Sequence, residues 1–153
     1  MSIKAKVKGS HSMSVVDKTY LYPRYLCWEG AAQRTWKIYG KKQLRKHSTK
    51  LNSDLKLAVD NYVRGRQRLK LTSNTGEVSP ERVKNGFVIG SSNKDFLYLD
   101  MEDKCSVWVY YYESGALQCL ENSFDDWLKN TRGLHDTVDV DLGPNFMENL
   151  AHS

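Results

Sequence analysis

No stretch of this 153-residue chain approaches the roughly 18 consecutive apolar residues of a membrane-spanning helix. The N-terminus, MSIKAKVKGSHSMSVV, is basic but has no hydrophobic centre of about 7–15 residues, so it does not read as a secretory signal. Residues 1–18 read instead as a short disordered lead. Cysteine is scarce: Cys27, Cys105 and Cys119 are odd in number and form no CxxC pair. Each sits among apolar residues, which reads as buried free thiols and suits a reducing cytoplasm. The four histidines, His11, His47, His135 and His152, stand in polar surroundings with no two at metal-ligand spacing. No serine or cysteine occupies a recognisable nucleophile motif. Gly86 and Gly90 with Ser91-Ser92 lack the GxxxxGK[ST] pattern of a phosphate loop and read as a strand-ending turn. Asp100, Glu102 and Asp103 lack the alternation and closing Glu of a calcium loop and read as a solvated turn. Catalytic residues, a cofactor and a metal are therefore not expected.

What is present is an ordinary globular composition, 40% hydrophobic and 27% charged, on a length suited to one domain with a real core. Residues 20–28 (YLYPRYLCW) and 34–39 (RTWKIY) are aromatic-rich and partly alternating, and Gly30-Ala31-Ala32 makes a turn between them. They read as a hairpin whose first strand lies at an edge or contains a break, because Pro23 lacks a donor. Residues 41–50 (KKQLRKHSTK) read as a basic connector, helical in part. Ser53 reads as an N-cap for a helix over residues 53–69, on which Leu55, Ala58, Val59, Tyr62 and Val63 recur at helical spacing. Residues 72–76 read as a polar loop. Ser79-Pro80-Glu81-Arg82 predicts a single helical turn, with Ser as cap and Pro in first position.

Short strands are predicted next at 87–89, 96–99, 107–113 and 116–120, with turns at Glu102-Asp103-Lys104 and Ser114-Gly115. Residues 107–113 (VWVYYYE) are apolar or aromatic on both faces, which marks a central strand covered on both sides. Ser123, with Asp126 three residues on, caps a helix whose Phe124, Trp127 and Leu128 form one apolar face. The tail suggests an acidic edge strand at 136–142 and a short helix at 144–150. The fold class is α+β: a single domain with a mainly antiparallel or mixed sheet flanked by helices.

Charge is unevenly spread. Residues 1–70 hold 17 Lys/Arg against 4 Asp/Glu, and residues 71–153 hold 6 against 14. In a single domain the two halves meet, so mutual neutralisation is the favoured reading. The alternative is a nucleic-acid-binding module. It would use the basic run Lys41, Lys42, Arg45, Lys46 and Lys50 with Arg64, Arg66, Arg68 and Lys70, and Tyr39, Trp36 and Tyr62 as stacking groups.

Residues 86–130 resemble the SUKH superfamily, which contains bacterial immunity proteins and a yeast cell-wall-synthesis regulator. The resemblance rests on four elements in order: Val88-Ile89-Gly90; Asp95-Phe96-Leu97-Tyr98-Leu99-Asp100; Val107-Trp108-Val109-Tyr110-Tyr111-Tyr112-Glu113; and Ser123-Phe124-Asp125-Asp126-Trp127-Leu128. The family's "LP-x-x-[YF]" step and "NGG" turn have no counterpart in the N-terminal half. The likeness implies a SUKH-like sheet with helices around it and no catalysis. It also implies a cytoplasmic protein that neutralises the toxin domain of a polymorphic or contact-dependent system by direct binding. A basic nuclease is one such toxin, and charge complementarity would speed the encounter. Asp95, Asp100, Glu102, Asp103 and Glu113, near strand ends, are the carboxylates expected to face it.

Overall fold

The computed structural model describes residues 16, 18–20, 24–26 and 35–130, the segment 24–26 through its backbone. The expected turn at 30–32, Pro23, Cys27, and the tail elements at 136–142 and 144–150 lie outside the described residues. So do His11, His135 and His152 and most of the expected lead.

Among the described residues eight strands form one mixed sheet: β1 (Arg24–Leu26), β2 (Trp36–Ile38), β3 (Leu71–Ser73), β4 (Gly76–Val78), β5 (Phe87–Ser92), β6 (Asp95–Asp100), β7 (Ser106–Tyr110) and β8 (Leu117–Glu121). Their order is β1-β2-β5-β6-β7-β8-β3-β4. Every pairing is antiparallel except β3 with β8, which touch in parallel through Ser73 and Leu117. Among the described residues three helices have both ends defined: α1 (Lys41–Arg66), α2 (Pro80–Lys84) and α3 (Phe124–Asn130); Val16 and Lys18 are also helical. The α+β expectation holds, and β1 does stand at an edge.

The core strands are buried because their sequences allow nothing else. Every residue of β7 is buried, and β6 is buried from Leu97 to Asp100. Side chains alternate across a strand, so these two strands supply both faces of the sheet. Leu97, Leu99, Val107 and Val109 join Trp36, Ile38, Ile89, Phe124 and Trp127 on the α3 side. Tyr98, Trp108 and Tyr110 join Val88, Val83, Leu55 and Val59 on the side of α1 and α2. Ser106 is the one polar residue inside β7, and it accepts a hydrogen bond from Trp108 Nε1 at 2.9 Å. The expected lead is docked at its end: Val16 is buried among these residues, and Lys18 pairs with Asp125 at 3.1 Å.

Four boundaries differ from the sequence reading. The strand expected over 107–113 is β7 and ends at Tyr110, so residues 111–113 belong to the turn that follows and Tyr112 and Glu113 are exposed. The basic connector is helix: α1 starts at Lys41, and Ser53 is exposed in its interior rather than capping it. Leu44, buried completely, anchors this first part. Gly40 N–H donates to Gln43 Oε1 at 3.3 Å at the start, and Gln67 ends the helix in the left-handed region at φ 52°. The expected polar loop at 72–76 is mostly strand: Thr72 and Ser73 end β3, Gly76 starts β4, and Asn74 and Thr75 make the turn of the hairpin. β5 runs through Gly90 to Ser92, with a register shift between Val88 and Gly90. A Cβ at Gly90 would stand 2.7 Å from the Lys37 carbonyl oxygen, so β2 closes on β5 only over a glycine.

Other expectations hold. Ser79 Oγ accepts from Arg82 N–H at 3.4 Å with Pro80 in the first turn, and Ser123 Oγ accepts from Asp126 N–H at 3.1 Å at the start of α3. Cys105 and Cys119 are free thiols, the first buried and the second half-buried.

Truncating Leu97, which is fully buried, should destabilise the protein by about 3 kcal/mol through lost transfer energy and a cavity. Leu69→Ala, at a side chain 87% exposed, should shift the urea midpoint little. Equal midpoints for the two variants would contradict this assignment of the core.

Candidate functional site

The described surface is concave around Tyr112. Three open depressions share this residue as a wall, with volumes of about 530, 320 and 550 Å³. Together they form a groove between one flank of α1 and two turns at the same end of the sheet, the β5–β6 turn and the β7–β8 turn. The α1 flank contributes Asp54, Leu57, Ala58, Asn61 and Tyr62. Leu57 is 58% exposed and Tyr112 is 42% exposed; with Leu69 they are the exposed large apolar side chains among the described residues.

Local chemistry fixes each wall. Asn93 and Lys94 make a two-residue turn with Asn93 at φ 56°, a conformation Asn tolerates. Asp95 Oδ1 accepts from the Tyr112 N–H at 2.7 Å and so ties this turn to the end of β7. Lys94 Nζ lies 5.4 Å from the Tyr112 ring centroid, a cation–π contact. The β7–β8 turn is closed by the Gly115 N–H donating to the Tyr111 carbonyl at 2.8 Å. Gly115 has φ +67°, and a Cβ there would meet the Tyr62 ring at 2.3 Å. Tyr62 of α1 therefore seats on a bare glycine, and the Arg66 guanidinium lies 5.4 Å from its ring centroid. At the opposite end, Tyr39 OH donates to Ser91 Oγ at 2.9 Å. The charged residues lining the groove are near balance: Lys94 and Arg66 against Asp54, Asp95 and Glu113.

The five carboxylates singled out from the sequence do not form one surface. Asp95 and Glu113 line the groove. Asp100, Glu102 and Asp103 lie at the far end of β6, about 17 Å along the strand from Asp95 at roughly 3.3 Å per residue. Asp100 is no part of a solvated turn either. It is buried; its Oδ2 accepts from Arg82 Nε at 2.6 Å and its Oδ1 from the Glu102 N–H at 3.0 Å. This hydrogen bond, with the Asp100 charge, raises the Arg82 pKa above its ordinary value. Asp100 thus pins α2 to the β6–β7 turn, while Glu102 and Asp103 are exposed beside it. Of the three proposed stacking aromatics, Trp36 is buried in the core and has no face to offer; Tyr39 and Tyr62 are half-buried on the groove.

Leu57 and Lys94 are groove residues that sequence reasoning passed over. Leu57 carried a signal: it is a large apolar residue off the face defined by Leu55, Ala58, Val59 and Tyr62. Among the described residues, no group of three or more His, Cys, Asp or Glu side chains gathers as a metal site would require. His47 is exposed on α1. No helix among the described residues is long and apolar enough to cross a membrane. Comparison with protein-family models, curated proteins and solved structures returns no match.

Beneath the groove the Tyr110 hydroxyl is buried and makes no hydrogen bond among the described residues. Burial, with the Tyr62 and Tyr112 phenols close by, pushes its pKa up to about 12. Burial likewise pushes the Cys105 thiol up to about 11 and raises Cys119. These are acids whose neutral form the fold prefers. The unfolded chain releases the protons near the ordinary values of 9.0 and 10.0, so this stabilisation is full below pH 9 and fades as the pH rises toward 11–12. Thermal midpoints should therefore fall steadily above pH 9, and less steeply in Cys105→Ala. Tyr110→Phe removes an unsatisfied buried hydroxyl and should stabilise the protein by about 1 kcal/mol in urea titration. A destabilised Phe variant would mean that the hydroxyl has a partner.

Proposed function

We propose that this is a binding protein with no chemistry of its own, which engages a partner protein through the Tyr112 groove. The observation that carries the reading is the exposure of Leu57 and Tyr112 on opposite walls of an open, charge-balanced concavity. Binding surfaces concentrate their energy in a few aromatic and apolar anchors surrounded by a polar rim. Tyr112 is such an anchor. Its backbone is held by Asp95 and its ring lies under Lys94, so little freedom is lost on contact. The rim of Asp54, Asn61, Asn93 and Glu113 supplies polar contacts around it.

The partner class comes from the SUKH-like pattern of residues 86–130. On that reading the protein is a cytoplasmic immunity protein, and the partner is a cognate bacterial toxin domain that it blocks by occlusion. The groove adds a geometric reason: it is formed by the ends of β5, β6 and β7, which lie inside the resembling segment, together with α1, which lies outside it. Asp95 and Glu113 then act at the rim, where charge sets encounter rate more than final affinity. Asp100 belongs to the scaffold in this reading.

Co-expression with the toxin domain encoded next to this gene should yield a complex that survives purification. The double variant Leu57→Ser, Tyr112→Ala should weaken that complex at least tenfold, mostly through faster dissociation, in surface plasmon resonance. Neutralising Asp95 and Glu113 should slow association and flatten its salt dependence. Neutralising Glu102 and Asp103 should change neither rate. A complex indifferent to the double variant places the interface elsewhere.

A further inference from the structure

Helix α1 has a second surface, turned away from the core and bordering the groove at Leu57 and Lys50. Residues 41–70 contain ten Lys/Arg against two Asp/Glu. At about 100° per residue, the buried Leu44, Leu55, Ala58 and Val59 fall on one side of the helix. Lys42, Arg45, Lys46, Lys50, Lys56 and Arg64 fall within an arc of about 140° on the opposite side. All six are exposed. Their span from Lys42 to Arg64 is about 33 Å at 1.5 Å per residue. The arc's one carboxylate, Asp60, is engaged by Lys84 at 2.8 Å. Lys50 shares its charge with Asp54 at 3.2 Å, on the border of the arc. Lys46 and Lys56 make no ion pair among the described residues.

The chemistry of this stripe selects among polyanions and acidic partners. A protein interface needs apolar anchors at its centre, and the stripe holds Thr49 and Ser53 between its cations. Its large apolar side chain, Leu57, sits at the groove edge. A membrane-bound amphipathic helix buries an apolar face in the lipid; the apolar face of α1 is already buried against the sheet. A duplex asks only for what is present. Its phosphates are neutralised by spaced Lys and Arg and bonded by Ser and Thr hydroxyls, without reference to sequence. A helix about 10–12 Å across matches a major groove about 12 Å wide.

We infer that the outer face of α1 binds duplex nucleic acid through its phosphate backbone, with Lys46, Lys50, Lys56 and Arg64 at the centre of the contact. This site is distinct from the Tyr112 groove and independent of the partner proposed for it.

The test is fluorescence anisotropy of a short labelled DNA duplex with the full-length protein, titrated between about 50 and 200 mM salt. Binding should weaken steeply with salt and be the same for a duplex of scrambled sequence. The triple variant Lys46→Gln, Lys50→Gln, Lys56→Gln should lose at least tenfold in affinity. Its log–log salt slope should be shallower by about 2.7, at roughly 0.9 per phosphate contact. Arginine at the same three positions should restore both, and Tyr112→Ala should alter neither. Circular dichroism of the triple variant should match the parent. Absence of duplex binding at the lowest salt overturns the inference, as does a slope unchanged in the triple variant. Binding to phosphatidylserine–phosphatidylcholine vesicles with none to the duplex overturns it too and assigns the stripe to a membrane surface.

Discussion

The constraint on which this structure depends is that β6 and β7 have no solvent side. Leu97, Leu99, Val107 and Val109 demand cover on one face, and Tyr98, Trp108 and Tyr110 demand it on the other. Alternation across a strand makes the two demands inseparable, since neither face can be exposed without exposing the strand. α3 with β2 and Val16 answers one face; α1 and α2 answer the other. The Asp100–Arg82 pair serves the same end, holding α2 where Val83 closes the second cluster. Once both faces are covered, surface chemistry is confined to strand ends, turns and the outer sides of helices. The groove around Tyr112 and the outer face of α1, the two surfaces proposed for binding, lie there.

The central sheet was legible in the sequence because its signals are local. Two-sided apolar runs separated by Asp, Asn and Gly specify strands and turns with little help from elsewhere, and Ser79 and Ser123 start helices with their own hydroxyls. The first half of α1 was not legible, for a reason that can be named. Its first turn contains no acidic residue and two cations, Lys41 and Lys42, the wrong polarity for the helix dipole. Ser53 also offered a competing start. What overrides both is tertiary: Leu44 lies fully buried near Trp36 and Ile38, and no pattern within residues 41–50 announces that partner.

The β3–β4 hairpin was missed on similar grounds. Residues 72–76 are polar, and most of the hairpin is exposed. Its attachment is an amide clasp: Asn74 Oδ1 accepts from the Cys119 N–H at 2.7 Å, and Asn74 Nδ2 donates to the Cys119 carbonyl at 3.2 Å. A side chain thus completes a strand edge where the parallel pairing is a single residue pair. Such a contact joins positions 45 residues apart and leaves no periodic trace. The groove was half legible for the same reason. The Tyr112 end could be read as a strand and turn, but the wall supplied by Leu57 exists only once α1 is laid against it.

Charge shows most sharply how the fold redistributes what the sequence contains. The basic first half and acidic second half suggested mutual neutralisation. Lys18–Asp125 and Lys84–Asp60 do join the halves, yet the outer face of α1 turns its cations to solvent. The carboxylates, for their part, divide between the two ends of the sheet, and Asp100 turns inward to Arg82. The surplus of +5 is therefore not spread evenly over the surface. One helix carries three environments around its circumference: an apolar face that closes the core, a flank that walls the Tyr112 groove, and a cationic ridge. The ridge contributes nothing to closing the core, and mutual repulsion of its lysines opposes helix formation by a few tenths of a kcal/mol per close pair. The cationic ridge is therefore a surface feature that core closure does not require, and it is the ground on which duplex binding is proposed.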